Sequence, residues 1–112
     1  MRRKTMTRNQ PTWLNETCPA WCIAEHGEHD HPDDREHESR RIEAPGVILT
    51  RTVTNGQIVH RVEAVHLDAI RHRHVGDDQD WVYVGDNSTW LDLSLETAKR
   101  LHSALSLTIG MG

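Results

Sequence analysis

Both cysteines of the chain, Cys18 and Cys22, lie in the stretch CPAWCIAEHGEHDHPDDREH, together with four of its nine histidines, His26, His29, His31 and His37. Thiolates and imidazoles gathered in this way suit zinc, which takes four N or S ligands in a tetrahedron. The spacing is Cys18-x3-Cys22-x3-His26. If these residues wind into a short helix, Cys22 and His26 stand four apart on one face. Cys18 then precedes the helix as a cap, where the chain can bend to bring its sulfur round.

The fourth ligand must return from the loop beyond. His29 would need a tight reversal. His31 precedes Pro32, which favours extended backbone and limits how His31 can aim. His37 closes a longer loop, and loop closure costs only slightly more with length. His37 is therefore the first choice and His31 the second. Two thiolates cancel the charge of Zn²⁺, so a Cys2His2 site of Cys18, Cys22, His26 and His37 can be buried without a stray charge. Structural zinc of this kind is worth on the order of 10–16 kcal/mol of apparent binding free energy at neutral pH. The competing readings are two ordinary buried cysteines beside a solvated loop, and a Cys18–Cys22 disulfide.

Other candidate chemistry is weaker. His72-x-His74 puts two imidazoles on one face if that segment is a strand, and Asp77 or Asp78 would then complete an open metal site. A metal-dependent hydrolase would need an open coordination position and a base such as Glu25 or Glu28. No Gly-x-Ser-x-Gly elbow and no Gly-rich phosphate loop is present. A DNA-reading Cys2His2 finger needs about twelve residues between its second Cys and first His; here three intervene, and the loop is acidic.

The elements that must position the cluster can be read coarsely. Residues 1–12 are basic and aperiodic, a disordered tail by expectation. Pro19 suits the first turn of a helix and Gly27 its end, but two turns are too short to be stable alone. Residues 28–44 form an acidic loop without apolar spacing. PGVILTRTVT, beginning at Pro45, ends at Asn55-Gly56, a strong hairpin signal. The return strand places Ile58, His60 and Val62 on one face and Val59, Arg61 and Glu63 on the other. Its alternation slips near Ala64 and Val65, which predicts a bulge or a strand end. HLDAIRHRHVGDDQD reads as strand running into loop, or as loop throughout. DWVYVGD is a third strand and STWLDLS a fourth. Ser94 caps a closing helix whose Leu95, Ala98, Leu101 and Leu105 make one apolar face.

The expected fold is α+β: a short metal-clasped helix and loop (13–44), a three- or four-stranded antiparallel meander (45–94), and a helix (95–108) packed on the sheet, all in one domain spanning 13–112. With 36 % hydrophobic residues and no Phe among its 112, and a mean hydropathy of −0.69, the chain is near the size limit for a self-sufficient core. Trp13, Trp21, Trp81 and Trp90 are expected to supply most of the bulky packing. There is no apolar run long enough to span a bilayer and no secretory leader, so the expected location is the cytoplasm, where thiols stay reduced. The net charge of −4 argues against attraction of the whole chain to nucleic acid.

The pattern Cys-Pro-x-Trp-Cys-x-x-x-His at Cys18–His26, followed by Asp30-His31-Pro32 and His37, resembles a family of small actinobacterial and actinophage proteins known as a domain of unknown function. The resemblance extends over roughly residues 17–107. It implies a short β-meander followed by a helix like LSLETAKRLHSAL, and a zinc-binding-like ligand set matching Cys18, Cys22, His26 and His37. It brings no activity with it. The favoured expectation is a cytoplasmic, non-enzymatic binding or regulatory module holding one structural zinc and meeting a protein partner. The alternatives are a small metal-dependent hydrolase using the cluster, and a nucleic-acid accessory protein acting through Arg2, Arg3, Lys4 and Arg8.

Overall fold

A computed structural model describes residues 10–112. The expected basic tail falls largely on residues 1–9, outside the described residues, and so do the four cations on which a nucleic-acid role would rest. Residues 10–12 join the folded chain. Gln10 donates to the Leu14 carbonyl at 2.8 Å, Pro11 is buried, and both the amide and the hydroxyl of Thr12 donate to the Glu28 carboxylate.

The chain forms one antiparallel sheet of five strands: β1 (Glu36–Glu38), β2 (Ile42–Thr54), β3 (Gln57–His74), β4 (Trp81–Gly85) and β5 (Trp90–Ser94). A single helix, α1 (Leu95–Ile109), follows. β3 organises the sheet. Its first two thirds pair with β2 in a long hairpin, its last residues pair with β1 along the same edge, and β4 lies along the other edge with β5 outside it.

The hairpin turns at Asn55 and Gly56, with φ of 52° and 76°. Two positive φ values in a two-residue loop match the right-handed twist of the strands it joins, and Asn-Gly reaches them at little cost. Pro45 sits inside β2 opposite His66; it is tolerated because β2 is an edge strand with no second ladder to feed.

No bulge forms at Ala64 and Val65. They pair in regular register with Val47 and Gly46, and β3 continues to His74. The alternation breaks because the surroundings change, not the backbone. Up to Glu63 the strand stands in an exposed arm; from Leu67 to Val75 every residue is half-buried, so both faces lose the contrast that period-2 reading relies on. For the same reason the acidic stretch hides β1: three residues pair with His72–His74, and Ser39 N→Arg71 O and Val75 N→Arg35 O, both 2.8 Å, extend the ladder at each end.

Ser94 caps α1 by accepting from the Thr97 amide at 3.1 Å. The helix packs on β5 and β4 through Leu95 and Ala98, which are half-buried. Leu101 and Leu105, on the same stripe, stay 40 % and 50 % exposed. The close turn between β4 and β5 requires Gly85, where a Cβ would collide with Trp90 and the Thr89 carbonyl.

Burial is thin and concentrated. Besides Pro11, the buried apolar side chains are Leu14 and Cys22, and the buried polar ones His37 and Asp80. Trp81 and Trp90 are exposed, contrary to the expectation that all four tryptophans pack a core; only Trp13 and Trp21 are half-covered. The Cα radius of gyration is 18.6 Å, against about 13 Å for a compact chain of this length, because the β2–β3 arm projects from the body.

Candidate metal centre

The helix expected between Pro19 and Gly27 does not form. Pro19 opens a single turn that closes with Cys22 N→Pro19 O at 3.0 Å. Continuing the helix would require Ile23 N–H to bond Pro19 as well. It donates instead to the Glu38 carbonyl on β1, at 2.8 Å. The sheet edge thus outcompetes a helix too short to sustain itself, and the same bond draws Cys22 down beside His37.

Cys18, Cys22, His26 and His37 each present one ligand atom within 4.8 Å of the others. The Cys22 sulfur lies 3.8 Å from His26 Nε2. Cys22 is 4 % exposed and His37 wholly buried, with Cys18 and His26 half-covered. A tetrahedral zinc with bonds of about 2.0–2.3 Å has its ligand atoms about 3.3–3.8 Å apart, so the group is close to the span an ion requires. This Cys/His group could hold a metal ion.

His37 carries the most telling detail. Its Nε2–H donates to the Glu16 carboxylate at 2.5 Å, and its Nδ1, fully buried, has no hydrogen-bond partner among the described residues. A buried nitrogen left unpaired is costly. A metal-ligating imidazole has this arrangement, one nitrogen on the metal and the other donating to a carboxylate. Glu16, 21 residues away in sequence, has no signature that sequence reasoning could have used.

A strap lies against the cluster. Trp13 stacks edge-on against His26 at 5.7 Å, its Nε1–H donates to the Gly27 carbonyl at 2.8 Å, and Arg35 lies 4.6 Å above its ring. His26 and His37 meet edge-to-face at 5.4 Å. The other two histidines of the stretch lie elsewhere. His31 is exposed and uses Nδ1 to accept from the Asp33 amide at 3.1 Å, capping the 3-10 turn Pro32–Asp34, and His29 is exposed. Glu28 is occupied by Thr12, whose hydrogen bonds hold its pKa below the usual carboxylate range. Cys18 and Cys22 form no disulfide.

On the other side of the sheet β1 and β3 build a second constellation. His72 donates through Nδ1 to Glu36 at 3.1 Å and through Nε2 to Asp92 at 2.6 Å. His74 is engaged at both nitrogens by the carbonyls of Val75 and Pro32, at 3.0 and 2.9 Å. The pair therefore does not present lone pairs to an ion with Asp77 or Asp78. Burial works against a charged His72, but the hydrogen bonds and charges of Asp92 and Glu36 outweigh it and raise its pKa. A raised folded-state pKa stabilises the fold fully below the unfolded value of about 6.5, and this contribution is lost as pH rises through the folded value. Under saturating metal, the urea midpoint of the wild-type chain is expected to exceed that of His72→Gln at pH 6, and the gap to close towards pH 8. A gap independent of pH would show that His72 is neutral.

No curated protein and no solved structure matches the chain. Among the described residues, no helix is long and apolar enough to cross a membrane. The family described as a domain of unknown function, DUF6907, matches residues 2–110, nearly the whole chain, and the protein belongs to that family.

Proposed function

We propose that the protein is a small zinc-stabilised interaction module of the cytoplasm, without catalytic activity, in which Cys18, Cys22, His26 and His37 hold one structural Zn²⁺. The observation that carries this reading is the pairing of a wholly buried His37, unpartnered at Nδ1, with a carboxylate on Nε2, inside a group of two thiols and a second imidazole. Soft sulfur and imidazole ligands favour zinc over harder ions such as magnesium or calcium. Four protein ligands complete a tetrahedron and leave no position for a reacting water, which separates a structural site from a catalytic one. Trp13 and the loop around Gly27 cover part of the site. What remains for recognition is the sheet, above all its projecting arm, and the partner it meets is a protein.

Native mass spectrometry of the purified chain tests this directly. One zinc per chain is expected, lost to a strong chelator together with the narrow charge-state distribution of a compact protein. Glu16→Gln should retain the zinc but bind it about 10–100-fold more weakly in a competition titration, the usual cost of losing such a partner. A chain that stays compact and metal-free through purification in the presence of zinc would overturn the reading.

A further inference from the structure

The projecting arm has one apolar face. Val47, Leu49, Val53, Ile58 and Val62 are between 54 and 74 % exposed. The register pairs Val47 with Ala64, Leu49 with Val62 and Val53 with Ile58, which places them all on the same side of the ribbon. The other side is mixed, with Thr50, Thr52, Arg61 and Glu63 beside Ile48 and Val59. Together the five side chains leave on the order of 500 Å² of apolar surface, near the upper end of what monomers expose. A two-stranded ribbon with one open apolar face is marginal by itself.

Charge indicates what covers it. Within the stripe the only ionisable pair is Arg51 opposite His60, and between Pro45 and Ala64 this face has no carboxylate. Further along the same face of β3 the character inverts. Asp68, Ile70 and His72, with Glu36, Glu38, Tyr83 and Asp92, line a shallow cleft. Arg41, 3.6 Å from Asp68, and His72 offset part of its charge, and the four carboxylates still outnumber these cations. The cleft is acidic around an apolar floor of Ile70 and Tyr83, while the arm is apolar around a cationic centre. Both lie on the one continuous strand β3, so a chain cannot fold its own arm onto its own cleft.

We infer that a second copy of this chain covers the arm, the two copies packing arm over cleft about a two-fold axis near Ala64. Antiparallel stacking of the two β3 strands about that point sets Arg51 and His60 of each copy against Asp68 and Glu43 of the other. It also lays Ile58 over the other copy's Ile70. An isologous contact uses every such patch twice, so the arm of each copy contributes its apolar surface to the same interface, towards the roughly 800 Å² per partner of a stable dimer. This rests on the reading of the chain as an interaction module and names its partner.

Sedimentation equilibrium of the zinc-loaded full chain, with zinc content measured on the same samples, tests the inference. The wild-type chain is expected at twice its 12.9 kDa mass. Val53→Asp and Val62→Asp, at positions 74 % and 70 % exposed, should be monomeric with zinc retained and circular dichroism unchanged. Arg51→Glu should raise the dissociation constant about tenfold or more through like-charge contact with the cleft. A zinc-bound wild-type monomer, or a dimer indifferent to both aspartates, overturns the inference and leaves the zinc reading intact. A dimer that ignores Arg51→Glu overturns the arm-over-cleft pairing. A metal-free dimer disrupted by the aspartates supports the inference and removes the zinc reading.

Discussion

Cys22→Ser is expected to lose the metal and, with it, the fold of residues 10–38. Cys22 is 4 % exposed and one of the few buried apolar residues in the described chain, so little other packing can compensate. A serine hydroxyl is a far poorer zinc ligand than a thiolate, and the apparent free energy at stake, on the order of 10–16 kcal/mol, equals or exceeds the whole stability of an ordinary domain, about 5–15 kcal/mol. The consequence reaches the sheet, because Ile23 N–H holds the segment to Glu38 at 2.8 Å and His37 belongs to β1 itself. His72→Ala provides the contrast. It removes an ion-paired histidine near the surface, worth about 1 kcal/mol or less. Urea titrations followed by circular dichroism, with zinc content measured in parallel, should show a collapse for Cys22→Ser and a small shift for His72→Ala. Equally small shifts from both would remove the clasp as the origin of stability.

Asp80→Ala is expected to cost about 2–4 kcal/mol, the second largest loss, because it leaves two guanidinium groups without their counter-charge. Asp80 is 9 % exposed; it accepts from Arg71 Nε at 2.8 Å and Nη2 at 2.5 Å, and from Arg73 Nη1 at 3.1 Å. Both arginines lie under Trp21, with their guanidinium carbons 5.1 and 5.9 Å from the ring centroid. They form the underside of the turn that carries Cys18 and Cys22. The backbone of Asp80 also receives the first amide of α1, Leu95 N, at 3.1 Å. The carboxylate thus links β3, the turn of Cys18 and Cys22, and the start of the helix. Asp80→Asn keeps the shape and one acceptor and should lose less than the alanine variant. If the two variants cost the same and less than about 1 kcal/mol, the network is a surface pair of ordinary weight.

The contrast between these two sites reflects what local sequence can carry. Asn55-Gly56 specified its turn because few residues accept positive φ, and Ser94 specified the start of α1 because a hydroxyl at that position satisfies an otherwise orphaned amide. Strands β4 and β5 were legible from their β-branched and aromatic residues. β1 was not, because Glu36-His37-Glu38 has no strand propensity of its own and pairs only because the end of β3 offers it an edge. The anticipated helix at Pro19 failed for a related reason. Its local signals were sound, but Ile23 N–H found a better partner on β1 than within its own turn.

By itself the sequence determined the identity of the clustered residues: two thiols and several imidazoles at spacings a metal can use, with His37 preferred over His31 because a longer loop costs little extra entropy. It also determined the hairpin, the β4–β5 pair and the closing helix, all of which arise from contacts between near neighbours. Only the tertiary structure decided that Glu16 fixes one nitrogen of His37 and that the other is buried without a hydrogen-bond partner. Only the tertiary structure placed Trp13 against His26 and Trp21 over Arg71 and Arg73, and set an apolar arm and an acidic cleft on one face of β3. These are relations between residues far apart in the chain, and no local propensity encodes a distance that exists only once the sheet has formed.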